Sequence, residues 1–241
     1  MIVFRFNICY RSYGIFWRCF ELIITLDGPA GSGKSTAAKL LAERLKFFHL
    51  DTGAIYRSVA YLCKLNNIPL SNEEGVAKVA SQMRIEFVKE NNRQRVIVNG
   101  EDVTERIRTP EISIGASDVG KLKKVRQALI DVQRRFAENN NIVAEGRDMG
   151  TVIFPNADMK FYLDASDVVR AKRRQLELKE KGIEEDFEKV LEDIRLRDIQ
   201  DSKRDIAPLK PAEDAIIVNT DNMGIEDVLN YLLSEVQSRW R

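Results

Sequence analysis

Residues 28–35 read GPAGSGKS, and no other stretch of this 241-residue chain restricts its fold so tightly. The string is a full match to G-x-x-x-x-G-K-[ST]. It follows the apolar run LIITL (residues 22–26) and opens an amphipathic stretch from Lys34 to Lys46, which is the strand, loop and helix context that the motif's mechanism requires. Gly28, Gly31 and Gly33 let backbone amides turn inward around phosphate oxygens, and the helix beginning at Lys34 adds its dipole to that anion site. Lys34 is expected to reach the β and γ phosphates, and Ser35 to offer a hydroxyl to Mg²⁺, which bridges phosphates while keeping most of its waters. Gly28, Pro29, Ala30, Gly31, Ser32, Gly33, Lys34, Ser35 and Thr36 are therefore the candidate nucleotide-binding set, with ATP and Mg²⁺ implied. Such a loop does not name a reaction. A guanine-reading N-K-x-D is absent, the nearest string being Asn219-Thr220-Asp221, so a phosphoryl transferase leads over a regulatory GTPase.

Further short apolar runs at 142–144, 160–163 and 215–218 are separated by long helical patterns, the signature of buried parallel strands with crossover helices. A doubly wound α/β fold is expected. Between about 83 and 104 the texture changes to alternation, with RIEFV, RVIV, Asn99-Gly100 and EDV, and Asn-Gly favours a tight primed hairpin turn. Helical stretches are expected at about 121–139, 166–181 and 186–204, the second stopped by Gly182 and the third by Ala207-Pro208.

Charge and cysteine content narrow the function class. With 38 Lys plus Arg against 37 Asp plus Glu, a protein whose main partner is a nucleic-acid backbone or an anionic membrane is disfavoured. Cys9, Cys19 and Cys63 have no C-x-x-C spacing, so neither a disulfide frame nor a zinc site is suggested, and a cytoplasmic setting fits. Residues 1–21 are aromatic and apolar but broken by Arg5, Arg11, Arg18 and Glu21, a poor match to a spanning helix or a secretory signal. They are expected to be a disordered or mistranslated extension. The next methionine, Met83, lies inside the fold, so a start near Leu22 would use a non-standard codon.

Four clusters complete the candidate site. In LDTGAIYR (50–57), Asp51-Thr52-Gly53 turn into a helix carrying Tyr56 and Arg57 near its start. Arg57 offers a bidentate fork for phosphate and Thr52 a hydroxyl, against the alternative of a simple N-cap with a surface arginine. In EGRDMG (145–150), Arg147 and Asp148 project from the C-terminal end of a strand, where open α/β sheets place ligands. Arg147 would neutralise an acceptor phosphate. Asp148 would either accept from a base amino group or hold Mg²⁺ through water, a choice that the residues leave open. Arg197, Asp201 and Arg204 share one helical face at i, i+4 and i+7. Arg170, Arg173 and Arg174 lie on another charged helix that could close as a lid. The alternatives are a structural ion pair for Arg147 and Asp148, a solvated salt-bridge ladder for Arg197, Asp201 and Arg204, and surface charge for Arg170, Arg173 and Arg174.

The ordered strings ITLDGPAGSGKST, LDTGAIYR, EGRDMGTVIFP and RLRDIQDSKRDIAPL resemble bacterial cytidylate kinase, a nucleoside monophosphate kinase family among the P-loop kinases, over nearly the whole chain from about residue 22. The resemblance implies a five-stranded parallel core, an acceptor-side insertion of small antiparallel β plus helices at about 60–120, and a helical lid at about 164–185, all within one domain, 22–241. It also implies ATP-dependent phosphorylation of CMP and dCMP, with Thr52, Tyr56, Arg57, Ser117, Arg126, Arg147, Asp148, Arg197, Asp201 and Arg204 on the substrate side. Lys34, Arg147, Asp148 and Arg197 would carry the chemistry. Asp148 as acceptor with Arg126 and Ser117 as donors would suit the cytosine edge; Asp201 with Arg197 would serve the ribose, and Arg57, Arg147 and Arg204 the phosphate. Two departures from the family's commoner residues, Thr52 for serine and Glu145 for aspartate, keep the functional group. The acceptor phosphate is already anionic, so no general base is needed, and the lone histidine, His49, reads as packed beside the second strand rather than catalytic. A monomer acting on small molecules is expected. Two other readings stay open: a kinase of the same fold acting on UMP, AMP or another acceptor, and a nucleotide-dependent switch.

Overall fold

The apolar run that precedes the phosphate loop forms the central strand of the molecule. In the computed structural model, which describes residues 21–90, 93–180 and 182–240, β1 (Ile23–Asp27) pairs in parallel with strands on both sides, and Ile24 and Leu26 are fully buried. Burial on both faces is why this strand reads as a continuous apolar run rather than an alternating one. The chain turns at Gly28 and enters α1 (Lys34–Leu45), which buries Ala37, Ala38, Leu41, Ala42 and Leu45. It then forms β2 (Phe48–Asp51) and α2 (Thr52–Leu65), whose first turn is capped by Asp51 accepting from the Ala54 amide at 2.9 Å.

After α3 (Glu73–Gln82) come the antiparallel strands β3 (Ile85–Glu90), β4 (Arg93–Val98) and β5 (Glu101–Asp102), a three-stranded sheet in that order. Asn99 (φ 51°) and Gly100 (φ 87°) make the turn between β4 and β5, both in the left-handed region that a primed turn demands. A 3-10 turn at Arg106–Arg108 leads to α4 (Pro110–Val119) and α5 (Lys123–Arg135), and then β6 (Ile142–Gly146) returns to the main sheet. A wide π-type turn at Met149–Ile153 precedes β7 (Met159–Asp164), α6 (Asp167–Glu180), α7 (Phe187–Ser202), β8 (Ile216–Asn219) and α8 (Ile225–Arg239).

The main sheet is five-stranded and parallel, in the order β2-β6-β1-β7-β8. Because the chain leaves β1 toward β2 on one side and later passes to β7 on the other, the crevice at the C-terminal ends of β1, β6 and β7 is the switch point where such sheets bind ligands. The expected doubly wound core and antiparallel insertion are both present. The insertion has no core of its own: Ile85, Val96, Val98 and Val103 join the cluster built on Leu50, Ile55, Val59, Val125 and Ile142. It is docked to the sheet edge by Gln94 Nε2, donating to the His49 carbonyl at 2.7 Å, and by the rings of Phe48, Phe87 and Phe136. By contrast α6 and α7 share a small core of Ala171, Leu178, Val190, Leu191 and Ile194, separate from the other two clusters. The extension expected at 1–21 lies outside the described residues except for Glu21, whose carboxylate accepts from the Asn139 amide at 2.7 Å.

Candidate active site

The phosphate loop is held by close backbone packing and by side-chain hydrogen bonds to its carbonyls. Gly28 (φ 150°) passes so close to β7 that a Cβ there would lie 2.1 Å from the Leu163 carbonyl oxygen, and Gly31 (φ 76°) rests on Arg170. Thr220, in the turn after β8, donates to the Ser32 carbonyl at 3.2 Å, and Lys34 Nζ donates to the Pro29 carbonyl at 2.8 Å across the loop. The Lys34 ammonium is pushed well below its ordinary pKa by burial, then by the charges of Arg147 and Arg197, against which Glu145 and Asp27 work. Ser35 Oγ donates to Glu145 at the end of β6.

Glu145 is the hinge between donor and acceptor sides. One carboxylate oxygen takes Ser35, the other lies 3.1 Å from His49 Nε2, and its backbone carbonyl accepts from Thr52 Oγ1 at 2.6 Å. Burial opposes charge on His49, but the hydrogen bond and charge of Glu145 outweigh it and raise the ring's pKa. His49 thus lies in β2 as expected, and is also tied to the site. The Thr52 hydroxyl, expected to face a phosphate as donor, has its hydrogen committed to the Glu145 carbonyl, so it fixes the two strand ends relative to each other.

The predicted acceptor residues fall into two touching groups. The first gathers Arg57, Arg147 and Arg174 around Arg197, with Arg147 and Arg197 also acting on Lys34. Arg197 is pushed down to about 9, by burial first and then by Arg147, Arg174 and Arg57, and its buried Nε has no partner. Arg57 donates to Asp51 at 2.8 Å, which makes Asp51 both the helix cap and its partner, and leaves the buried Arg57 Nε unpaired. In the second group, Arg126 donates to Asp148 and to the Gly120 carbonyl (3.0 Å), and its guanidinium lies 5.5 Å from the centre of the Tyr56 ring. Ser117 sits half-buried one turn before Gly120 on α4. Asp201 joins the groups, accepting from Arg147 Nε at 2.8 Å and from Arg204.

Two expectations change here. Arg204 was placed on one helical face with Arg197 and Asp201, but α7 ends at Ser202; Arg204 reaches Asp201 from the turn that follows, because three residues of chain past the carboxylate suffice for an i,i+3 contact. Asp201 is bonded to Arg147 and Arg204 rather than to Arg197. Arg170 and Arg173, expected to grip phosphates, are engaged by protein groups. Arg170 donates to Ala165 and Ala30 carbonyls and pairs with Asp198, while Arg173 holds the Thr220 carbonyl at 2.6 Å and its hydroxyl at 3.0 Å. They brace the rim of the loop; Arg174, which pairs with Glu177 on its own helix, is the one of the three whose charge reaches Arg197.

A crevice in which buried guanidinium groups depress one another's pKa, and in which the Nε groups of Arg57, Arg197 and Arg204 are buried without a partner, suits a ligand carrying several negative charges. Among the described residues no group of three or more His, Cys, Asp or Glu is arranged to hold a metal alone, whereas Ser35 beside Glu145 supplies the hard oxygen that suits a cation bound mainly through phosphates and water.

A family model for cytidylate kinase matches residues 24–238, nearly all of the described chain. The chain belongs to the cytidylate kinase family. It is 48% identical over 216 residues to a cytidylate kinase of Thermosipho melanesiensis, covering 90% of this chain and 97% of that protein. It is 45% identical over 213 residues to a cytidylate kinase of Caldicellulosiruptor saccharolyticus, covering 88% and 94%. A cytidylate kinase 1 of Haemophilus influenzae is 44% identical over 216 residues, covering 90% and 94%. Among the described residues no helix is long and apolar enough to cross a membrane.

Two carboxylates of this cytidylate kinase site escaped the reading of motifs. Glu145 was noted only as a departure from the commoner aspartate, and Asp27 not at all, although its oxygens accept from the Met149 and Gly150 amides at 2.9 and 2.8 Å. Both close an apolar run at the C-terminal end of a central strand, and that position is the signal that would have found them.

Proposed function

We propose that this chain transfers the γ-phosphoryl group of ATP, as its Mg²⁺ complex, to CMP or dCMP, giving ADP and CDP or dCDP, as a monomeric cytoplasmic enzyme. Membership of the cytidylate kinase family supports the reaction. The observation that carries the site assignment is the series of mutually repelling cations that runs from Lys34 of the phosphate loop through Arg147 and Arg197 to Arg57. A nucleoside triphosphate on the loop and a monophosphate near Arg57 and Arg147 would together supply the missing negative charge.

In this reading the phosphate loop and Lys34 hold the donor chain, and Arg57, Arg147 and Arg204 orient the acceptor phosphate. An acceptor oxygen attacks the γ phosphorus as its bond to the β-γ bridging oxygen breaks. Ser35, beside Glu145, would help hold Mg²⁺, which would supply positive charge to the phosphates. Arg147, Arg174 and Arg197 stabilise the rest, in surroundings where burial strengthens each contact. No proton need be removed from the acceptor. Asp148, held by Arg126 over Tyr56, accepts from the cytosine amino group; uracil presents an acceptor there and would leave the carboxylate unpaired. Asp201 and Arg197 serve the ribose. The separate core of α6 and α7 suits a lid that moves as one piece and so includes α7 beyond residue 185.

Steady-state rates with CMP, dCMP, UMP and AMP test this reading. CMP and dCMP should lead, and turnover of UMP equal to that of CMP would refute the base-reading role. Lys34→Ala should abolish most turnover while the protein keeps its native circular dichroism.

A further inference from the structure

Asp27 ends β1 one residue before the phosphate loop, and its buried carboxylate spans the gap between that strand and the turn after β6. Both oxygens are used, Oδ1 by the Met149 amide and Oδ2 by the Gly150 amide. These N–H groups open the wide turn that begins just after Asp148, where a helical segment leaves its first donors without intrahelical acceptors. No hydrogen bond or ion pair joins Asp27 to a cationic side chain among the described residues. We propose that Asp27 is a positioning residue that holds the Arg147-Asp148 turn in register with the phosphate loop, and thereby sets the preference for CMP over UMP. The second half of that statement rests on Asp148 reading the base.

Three features favour this role over that of a general structural anchor. The phosphate loop has its own supports in Gly28 against Leu163, Gly31 against Arg170 and Thr220 on the Ser32 carbonyl, so releasing Asp27 loosens the turn more than the loop. Next, the Asp148 side chain is held by Arg126 and its carbonyl by the Val152 and Ile153 amides at 2.9 and 3.1 Å within the turn, while Asp27 takes the N–H of the same peptide, on Met149, and ties the turn to β1. Last, two converging donors require two acceptors: an asparagine would meet one amide with its oxygen and turn an N–H toward the other. The groups that face Asp27 are Lys34 from α1, Arg147 and Asp148 from the turn, and Tyr162 from β7, its register partner in the sheet. Burial pushes Asp27 up to about 6 against the pull of the two amides, with Asp148 adding to the rise and Lys34 opposing it.

The test compares Asp27→Asn and Asp148→Asn with the unaltered enzyme, using CMP and UMP as acceptors. In Asp27→Asn the kcat/KM ratio of CMP to UMP should fall by about tenfold, carried by KM for CMP, while KM for ATP changes less than about twofold. An altered ratio in Asp148→Asn with an unchanged ratio in Asp27→Asn sinks this inference alone, as does a rise of KM for ATP in step with that for CMP. An unchanged ratio in Asp148→Asn sinks the base-reading assignment and this inference with it. Should Asp27→Asn not fold, the amide proton resonances of Met149 and Gly150 in the unaltered protein give the answer. A one-proton titration shared by the two, which the Ser32 and Gly33 amides do not follow, supports the brace, and its absence overturns it.

Discussion

Arg147 donates its Nε to Asp201 at 2.8 Å, joining the turn after β6 to the last turn of α7. Asp201 is almost fully buried and also accepts from Arg204, so one carboxylate compensates two guanidinium groups. Removing it strands both. Asp201→Ala is expected to lower the stability of the ligand-free protein by about 3 kcal/mol, the scale for breaking a buried pair from one side. Urea unfolding measures this, and pyrophosphate should restore part of the loss by replacing the missing anion.

Arg197 should behave in the opposite way. A cation whose folded pKa is pushed down to about 9 reduces stability at neutral pH, and that penalty lifts only as pH rises through the folded value. Arg197→Met should therefore raise the melting temperature of the ligand-free protein while lowering kcat/KM for CMP by at least about tenfold, or ~1.4 kcal/mol of transition-state stabilisation. Thermal melts and steady-state kinetics on the same preparation check both signs.

For Glu145 the expected effect falls on the metal. Glu145→Gln keeps the size of the side chain but weakens the acceptor that orients the Ser35 hydroxyl, so the Mg²⁺ concentration for half-maximal rate should rise by about tenfold with a smaller change in KM for CMP. A Mg²⁺ titration at saturating ATP and CMP measures it. Protection of the protein by Mg-ATP against proteolysis gives a second reading that does not depend on turnover.

Asp27 makes stability depend on pH with a definite sign. Its folded value, about 6, lies above the model-peptide value of 3.8, so the native state binds the proton more tightly than the unfolded chain. The contribution is complete below about pH 4 and is lost as pH rises through about 6, amounting to about 3 kcal/mol. The stability of the unaltered protein relative to Asp27→Asn should accordingly be greater at pH 4.5 than at pH 7.5. Denaturant melts at the two pH values decide it.

The parts legible in the sequence are those set by local chemistry. Asn99-Gly100 marked a turn because few other pairs accept two positive φ values, and the spacing of GPAGSGKS fixed a strand, a loop and a helix before any partner strand was known. Ion-pair choice was not legible in this way. Which arginine Asp201 selects depends on where α7 stops, and Lys203 and Arg204 have no property that would announce the helix end at Ser202. Arg170 and Arg173 look like phosphate ligands in the sequence because charge on a helix near the loop suggests it; the protein groups that hold them, Asp198 and Thr220, are 28 and 47 residues away in sequence. Asp27 and Glu145 were hidden by their setting, since each is the last polar residue of an apolar strand.

The tight passage of Gly28 beneath β7 divides the kinds of damage this protein can suffer. A substitution at Lys34 is expected to leave a silent but intact molecule, useful for trapping both nucleotides together. A side chain at Gly28 collides with the wall opposite before any nucleotide arrives, so inheritance of a change there would be registered in the cell as missing protein, not as a faulty catalyst.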